Sequence, residues 1–161
     1  MEEVAAELRA HQTLSDAIDE AAAEVLGVNR TDLRCLDLLD QRGPISAGEL
    51  AEAAGITTGA VTGVLDRLEA LGYARRLRDP SDRRRVVAEM TPKAKRAAMK
   101  VYGPLGETYR EWAKDYSAEE LAQIRDFMRR ARELSAAHLA DIKAARLKRA
   151  VSARPRVPSR A

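Results

Sequence analysis

The stretch RLRDPSDRRRVVAEMT, Arg76 to Thr91, restricts the possible folds of this chain more than any other. Two short runs with strand character, Ala74–Arg78 and Arg85–Met90, flank Asp79-Pro80-Ser81-Asp82. Those four residue types favour a tight reversal of the chain, so the segment is a β-hairpin. Three consecutive arginines, Arg83, Arg84 and Arg85, leave its turn. A hairpin with arginines at its tip suits the narrow, electronegative minor groove of DNA.

A helix-turn-helix pattern, Ser46 to Leu71, comes just before. Ser46-Ala47-Gly48-Glu49 is a capping box that opens a helix over Ala47–Ala54. Gly55-Ile56 makes the turn, and Thr57 or Thr58 caps a second helix running to about Leu71, stopped by Gly72. Val61, Val64, Leu65, Leu68 and Leu71 form its buried face. The opposite face shows Thr58, Gly59, Thr62 and Gly63, with Arg67 further along. Small residues there let a helix lie deep in a major groove. Upstream, Asn29 or Thr31 caps a helix carrying Leu33, Leu36 and Leu39, which ends near Gly43-Pro44.

Charge is distributed accordingly. Residues 1–40 hold ten acids and three bases; residues 41–100 hold twelve bases and seven acids; beyond Asp141 there are seven bases and no acid. This is the pattern of a DNA-binding lobe beside an acidic one, with a basic tail. Low aromatic content, 4%, and abundant Ala, Leu, Glu and Arg favour helix. No apolar run is long enough for a membrane span. The acidic start MEEVAAELRA argues against a targeting peptide. A single cysteine, Cys35, fits the reducing cytoplasm.

Both ends predict long helices with narrow apolar seams. The first runs from Glu2 to Leu26, with Val4, Leu8, His11, Ser15, Ile18, Ala22 and Val25 at alternating spacings of three and four. Thr91-Pro92 starts a helix running towards Asp115, with Gly103-Pro104 or Gly106 as the expected site of a bend. Ser117-Ala118-Glu119-Glu120 is a second capping box; the helix after it reaches about Arg149, with Leu121, Ile124, Met128, Ala131, Ser135, His138, Ile142 and Ala145 as its seam. Seams of this width suit helix-helix interfaces, hence a twofold dimer. The organisation expected is a dimerisation helix over 1–28, a winged helix-turn-helix over 29–100, dimerisation helices over 101–149 and a basic, disordered tail over 150–161.

GELAEAAGITTGAVTGVLDRLEALGYARR and DPSDRRRVVAEMTPKA together resemble the MarR family of bacterial transcriptional regulators. The first is similar to the family's helix-turn-helix. The second is similar to its wing, with Asp82-Arg83-Arg84 as the D-x-R and Met90-Thr91 as the exit pair. The chain departs from the pattern at Ala94, where the family often has glycine, and its first helix lacks the cysteine of peroxide-sensing members. The resemblance implies a mainly α fold with an α+β wing, a homodimer with intertwined terminal helices, a pseudo-palindromic double-stranded DNA operator and an unknown small-molecule effector. The implied function is a sequence-specific repressor released by that effector, cytoplasmic and associated with the nucleoid when bound.

Candidate DNA contacts are Ser46, Thr57, Thr58, Gly59, Thr62, Gly63, Arg67, Arg76, Arg83 and Arg84. Arg84 matches the family's minor-groove arginine. Arg83 and Arg76 meet the phosphate backbone, and Ser46, at a helix start, binds a phosphate. Asp82 supports the wing arginine, since its own charge repels phosphate. Cys35 reads as core rather than sensor, and His11 and His138 as seam residues. Tyr109, Trp112 and Tyr116, on one side of their helix, pack at the dimer base or border an effector pocket. There is no phosphate loop, metal-ligand cluster or supported nucleophile, so neither enzyme activity nor a metal or cofactor is expected. The alternative is a sequence-tolerant architectural DNA-binding protein using the same fold and the basic tail.

Overall fold

A computed structural model describes residues 2–79, 82 and 85–152, with side chains described as far as residue 145. The chain divides into two compact units, Met1–Glu107 and Thr108–Ala161.

In the first unit, α1 (Glu2–Leu26) is followed by α2 (Arg30–Arg42), the two-residue strand β1 (Ile45–Ser46), α3 (Ala47–Ala54) and α4 (Thr58–Ala70). The hairpin strands β2 (Ala74–Arg78) and β3 (Val86–Met90) lead into α5 (Pro92–Trp112). Helices α2 to α5 each start where a side chain takes up a free amide. Asn29, not Thr31, caps α2 by accepting from the Asp32 amide. Thr57, not Thr58, caps α4 by accepting from the Ala60 amide. Ser46 and Glu49 satisfy each other's backbone as a capping box. Gly55 ends α3 at φ 70°, ψ 31°, a left-handed conformation that a side chain disfavours.

The sheet has the order β1-β3-β2 and is antiparallel throughout. β2 and β3 pair in the register Ala74↔Met90 to Arg78↔Val86. β1 pairs Ile45 with Ala88 and Ser46 with Val87. Two residues carry no period-2 signal, so β1 has no trace in the sequence pattern. The core beneath the sheet joins Leu36 and Leu39 of α2, Leu50 of α3, and Val61, Val64, Leu65 and Leu68 of α4 with Ala88 and Met90. Leu71, expected on that face, is 36% exposed. It is the C-cap of α4 and lies past the last helical turn.

A second cluster brings Ala22, Ala23 and Leu26 of α1 onto Leu33 of α2, with Ala97, Val101 and Tyr102 of α5 against it. Val25 points elsewhere and is 74% exposed. α5 runs unbroken through Gly103 and Pro104. Thr91 tethers its start: the Thr91 hydroxyl donates to the Gly72 carbonyl at 2.7 Å and accepts from the Ala94 amide.

The second unit holds the end of α5, a 3-10 turn (Ala113–Asp115) and α6 (Ala118–Ser152). Ser117 and Glu120 cap α6 reciprocally, at 2.7 and 3.2 Å. None of its described side chains is buried, and Leu121, Ile124, Phe127, Met128, Leu134, Leu139 and Ile142 are all exposed.

Candidate nucleic-acid interface

α3 and α4 are joined by a turn in which the Ile56 amide donates to the Ala51 carbonyl. The turn leaves the start of α4 facing outward. Thr57, Thr58, Gly59 and Thr62 are exposed, and Gly63 is half-buried. An added Cβ at Gly59 meets nothing within 4 Å. The Thr62 hydroxyl donates to the Thr58 carbonyl at 3.2 Å, which leaves its methyl and the acceptor lone pairs of its oxygen available. This is a shallow, uncharged face that another surface can approach closely.

The far half of α4 is fastened instead. Arg67 reaches α2 and donates to both oxygens of Asp32, Nε to Oδ2 at 2.9 Å and Nη2 to Oδ1 at 2.6 Å. Asn29 also donates to Asp32, at 3.0 Å. Asp32 is 2% exposed, so its charge is tolerated only because it is paired and hydrogen-bonded. Arg76, on β2, donates to Asp66 Oδ1 at 2.8 Å, to the Thr62 carbonyl at 3.3 Å and to Glu69. Both of these predicted contact arginines thus hold intramolecular acids. Asp32, Asp66 and Glu69 were missed as site residues. The Asn29-x-x-Asp32 spacing of a reciprocal cap was the one local signal for the first; Asp66 and Glu69 find their partner across the fold.

At the hairpin, the Asp79 amide donates to the Arg85 carbonyl and the Arg85 amide to the Asp82 carbonyl, each at 2.9 Å. These bonds join the end of β2 to the residue that precedes β3. Arg83 and Arg84, like Pro80 and Ser81, lie outside the described residues. Arg85 donates to Glu49 at the start of α3. Arg75 pairs with Glu89 across the strands, Nε to Oε1 at 2.6 Å.

The Ser46 hydroxyl and amide both donate to Glu49 Oε2, at 2.7 and 2.8 Å. The Arg85 guanidinium and the Ser46 donors hold the Glu49 carboxyl down at about 2. A phosphate approaching Ser46 therefore meets a carboxylate already in place, neutralised by Arg85.

Cys35 is fully buried, and burial, then Asp32, pushes its thiol up. His11 and His138 are exposed. The Tyr102 hydroxyl donates to Asp19 at 2.9 Å, and burial together with that bond raises its pKa to about 12. Tyr109 and Trp112 meet edge-to-face at 5.7 Å, and both are exposed, as is Tyr116. Among the described residues, no three His, Cys, Asp or Glu side chains are grouped to hold a metal, and no helix is long and apolar enough to cross a membrane.

Known proteins are similar to this chain in sequence and in fold. The sequence profile of the MarR family matches residues 28–86. An HTH-type transcriptional regulator of Bacillus subtilis (strain 168), YcgE, itself uncharacterized, is 40% identical over 124 residues, covering 77% of this chain and 80% of that protein. The crystal structure of transcriptional regulator Tm0710 from Thermotoga maritima aligns with a TM-score of 0.61 at 24% identity, over 87% of this chain and 99% of that one. That of NadR in complex with 4-hydroxyphenylacetate aligns with a TM-score of 0.55 at 23% identity, over 76% and 86%.

Proposed function

The chain belongs to the MarR family of DNA-binding transcriptional regulators, and on that premise we propose that it is a homodimeric, sequence-specific repressor released by a small molecule. The family makes it a regulator and not an enzyme. The observation that carries the sequence-specific reading is the division of α4. Its first two turns present an open outer face of small, uncharged side chains, while Arg67 and Arg76 fasten the helix from Thr62 onward. That is what a helix needs to enter a major groove in one fixed pose.

In this reading Thr57, Thr58, Gly59, Thr62 and Gly63 meet bases or phosphates, Arg84 enters the minor groove, Arg83 meets the backbone and Asp82 supports the wing. Ser46 contributes its phosphate contact only if Glu49 gives way. Arg67 serves the interface through Asp32. The reader spans residues 29–100. Residues 1–28 and 101–149 form the dimerisation lobe, and 150–161 form a basic tail. The protein works in the cytoplasm, on the nucleoid. An effector is supported by the fold shared with NadR, which was crystallised with 4-hydroxyphenylacetate; the exposed aromatics Tyr109, Trp112 and Tyr116 are candidates to border its pocket.

The test is a duplex selected from random sequence, titrated at several salt concentrations alongside a scrambled duplex. The selected site should be a pseudo-palindrome with half-site centres ~10 base pairs apart. Thr62→Ala should change preference at one or two positions of each half-site, by ~1–3 kcal/mol per altered contact. Arg84→Ala should weaken all sites, A·T-rich flanks most. Selection of sequences without dyad symmetry, and uniform protection of long DNA, would instead mark a coating protein.

A further inference from the structure

We infer that Arg76 is a positioning residue that sets the recognition helix against the wing, and not a phosphate contact. The inference rests on the assignment of α4 as the reading helix. Arg76 lies on β2, an edge strand of the sheet, in register with Ala88 of β3. Its guanidinium reaches Thr62, Asp66 and Glu69 of α4. Those positions are spaced i, i+4, i+7, which is one face of a helix across two turns. The Arg76 amide also donates to Glu69 Oε1, at 2.8 Å. One residue therefore binds the helix that carries Thr62 to the hairpin that carries the arginine run.

The geometry leaves little for DNA. The side chain is 30% exposed, and its two terminal nitrogens donate to two carboxylates and a carbonyl. A phosphate would have to displace acids that repel it. The planar fork suits this arrangement, because its two terminal nitrogens reach separated acceptors at once, whereas a lysine presents its donors from a single atom. A reader that uses a helix and a wing at once needs their separation fixed, since a small misplacement of either forfeits contacts of both.

The two roles predict opposite signs at Glu69. Near DNA, an acid that only repels phosphate weakens binding, so Glu69→Ala would strengthen it. As a clamp partner, Glu69→Ala loosens α4 and weakens specific binding although a negative charge is removed. The experiment measures the affinity of the full-length protein for the selected duplex and its scrambled form across a salt series, with thermal midpoints recorded for every variant. We expect Glu69→Ala and Arg76→Lys each to lower the preference for the selected site by about tenfold, with the salt slope unchanged. The double variant should be no worse than the more severe single one. Arg76→Lys keeps the charge and most of the stem, so it is the variant that folds if Arg76→Ala does not. Tighter binding by Glu69→Ala, wild-type preference in Arg76→Lys, or a salt slope lower by about one unit per subunit in Arg76→Ala would each overturn the inference. A wild type that shows no preference between the duplexes would remove the reading of α4, and the inference with it.

Discussion

Arg67 on α4 and Asp32 on α2, 35 residues apart, form a two-point ion pair at 2.9 and 2.6 Å in which the acid is almost wholly buried and the base is half exposed. Removing the arginine strands a buried carboxylate. Arg67→Ala should therefore destabilise the fold, by less than the loss of a partner from a fully buried pair does, because water reaches one side. The shift of the urea midpoint measures it. A midpoint equal to wild type would mean that solvent alone satisfies Asp32.

The glycines of α4 should trade stability for function. Gly63 has helical neighbours on both sides, and an added Cβ would meet only Arg67 Nη1, at an ordinary 3.5 Å. Gly63→Ala should stabilise the protein by about 0.5–1 kcal/mol, and Gly59→Ala, in the first turn, by less. Both put a methyl on the proposed reading face, so affinity for the selected duplex should fall. Higher thermal midpoints with undiminished binding would show that DNA does not come close there.

Glu49 gives a pH signature. Its carboxyl lies at about 2 in the fold against an ordinary 4.5, chiefly through Arg85. A lowered acid pKa contributes stability that is complete above pH 4.5 and is lost as pH falls towards 2. The stability gap between wild type and Glu49→Gln should thus be widest above pH 4.5 and narrow below it. Denaturant midpoints across that range would read it, and a gap independent of pH would rule out the charged tie.

Cys35 should be inert in the native state. Its side chain is fully buried and its thiol is pushed up by burial. Reaction with a thiol reagent must wait for an opening that costs most of the global free energy, which slows it more than about a thousandfold relative to the denatured chain. Fast labelling of native protein would point to a local opening of α2.

Exposed apolar residues along α6, from Leu121 to Ile142, should be covered by a second copy. Light scattering should give a dimer at micromolar concentration, and Leu134→Glu, at a residue 73% exposed in the single chain, should shift it towards monomer. A stable wild-type monomer would remove the proposed dimerisation lobe.

Local chemistry in the sequence determined the approximate helix bounds, the hairpin strands and the buried face of α4. Caps such as Ser46, Thr57 and Gly55 act within four residues, and the leucine and valine spacing of α4 marks its buried face directly. Thr91-Pro92 fixed the start of α5 in the same way. Only the tertiary structure decided which charges are spoken for. Arg67, Arg76 and Arg85 look alike in sequence, all arginines near a DNA-binding motif. Each is committed to an acid that folding brings to it, from 7 to 36 residues away. Electrostatic pairing depends on separation in space, not along the chain, and no periodicity records it. β1 has no signature in the sequence for a related reason. It exists only because β3 is there to pair with it, and two residues have no intrinsic preference strong enough to announce a strand.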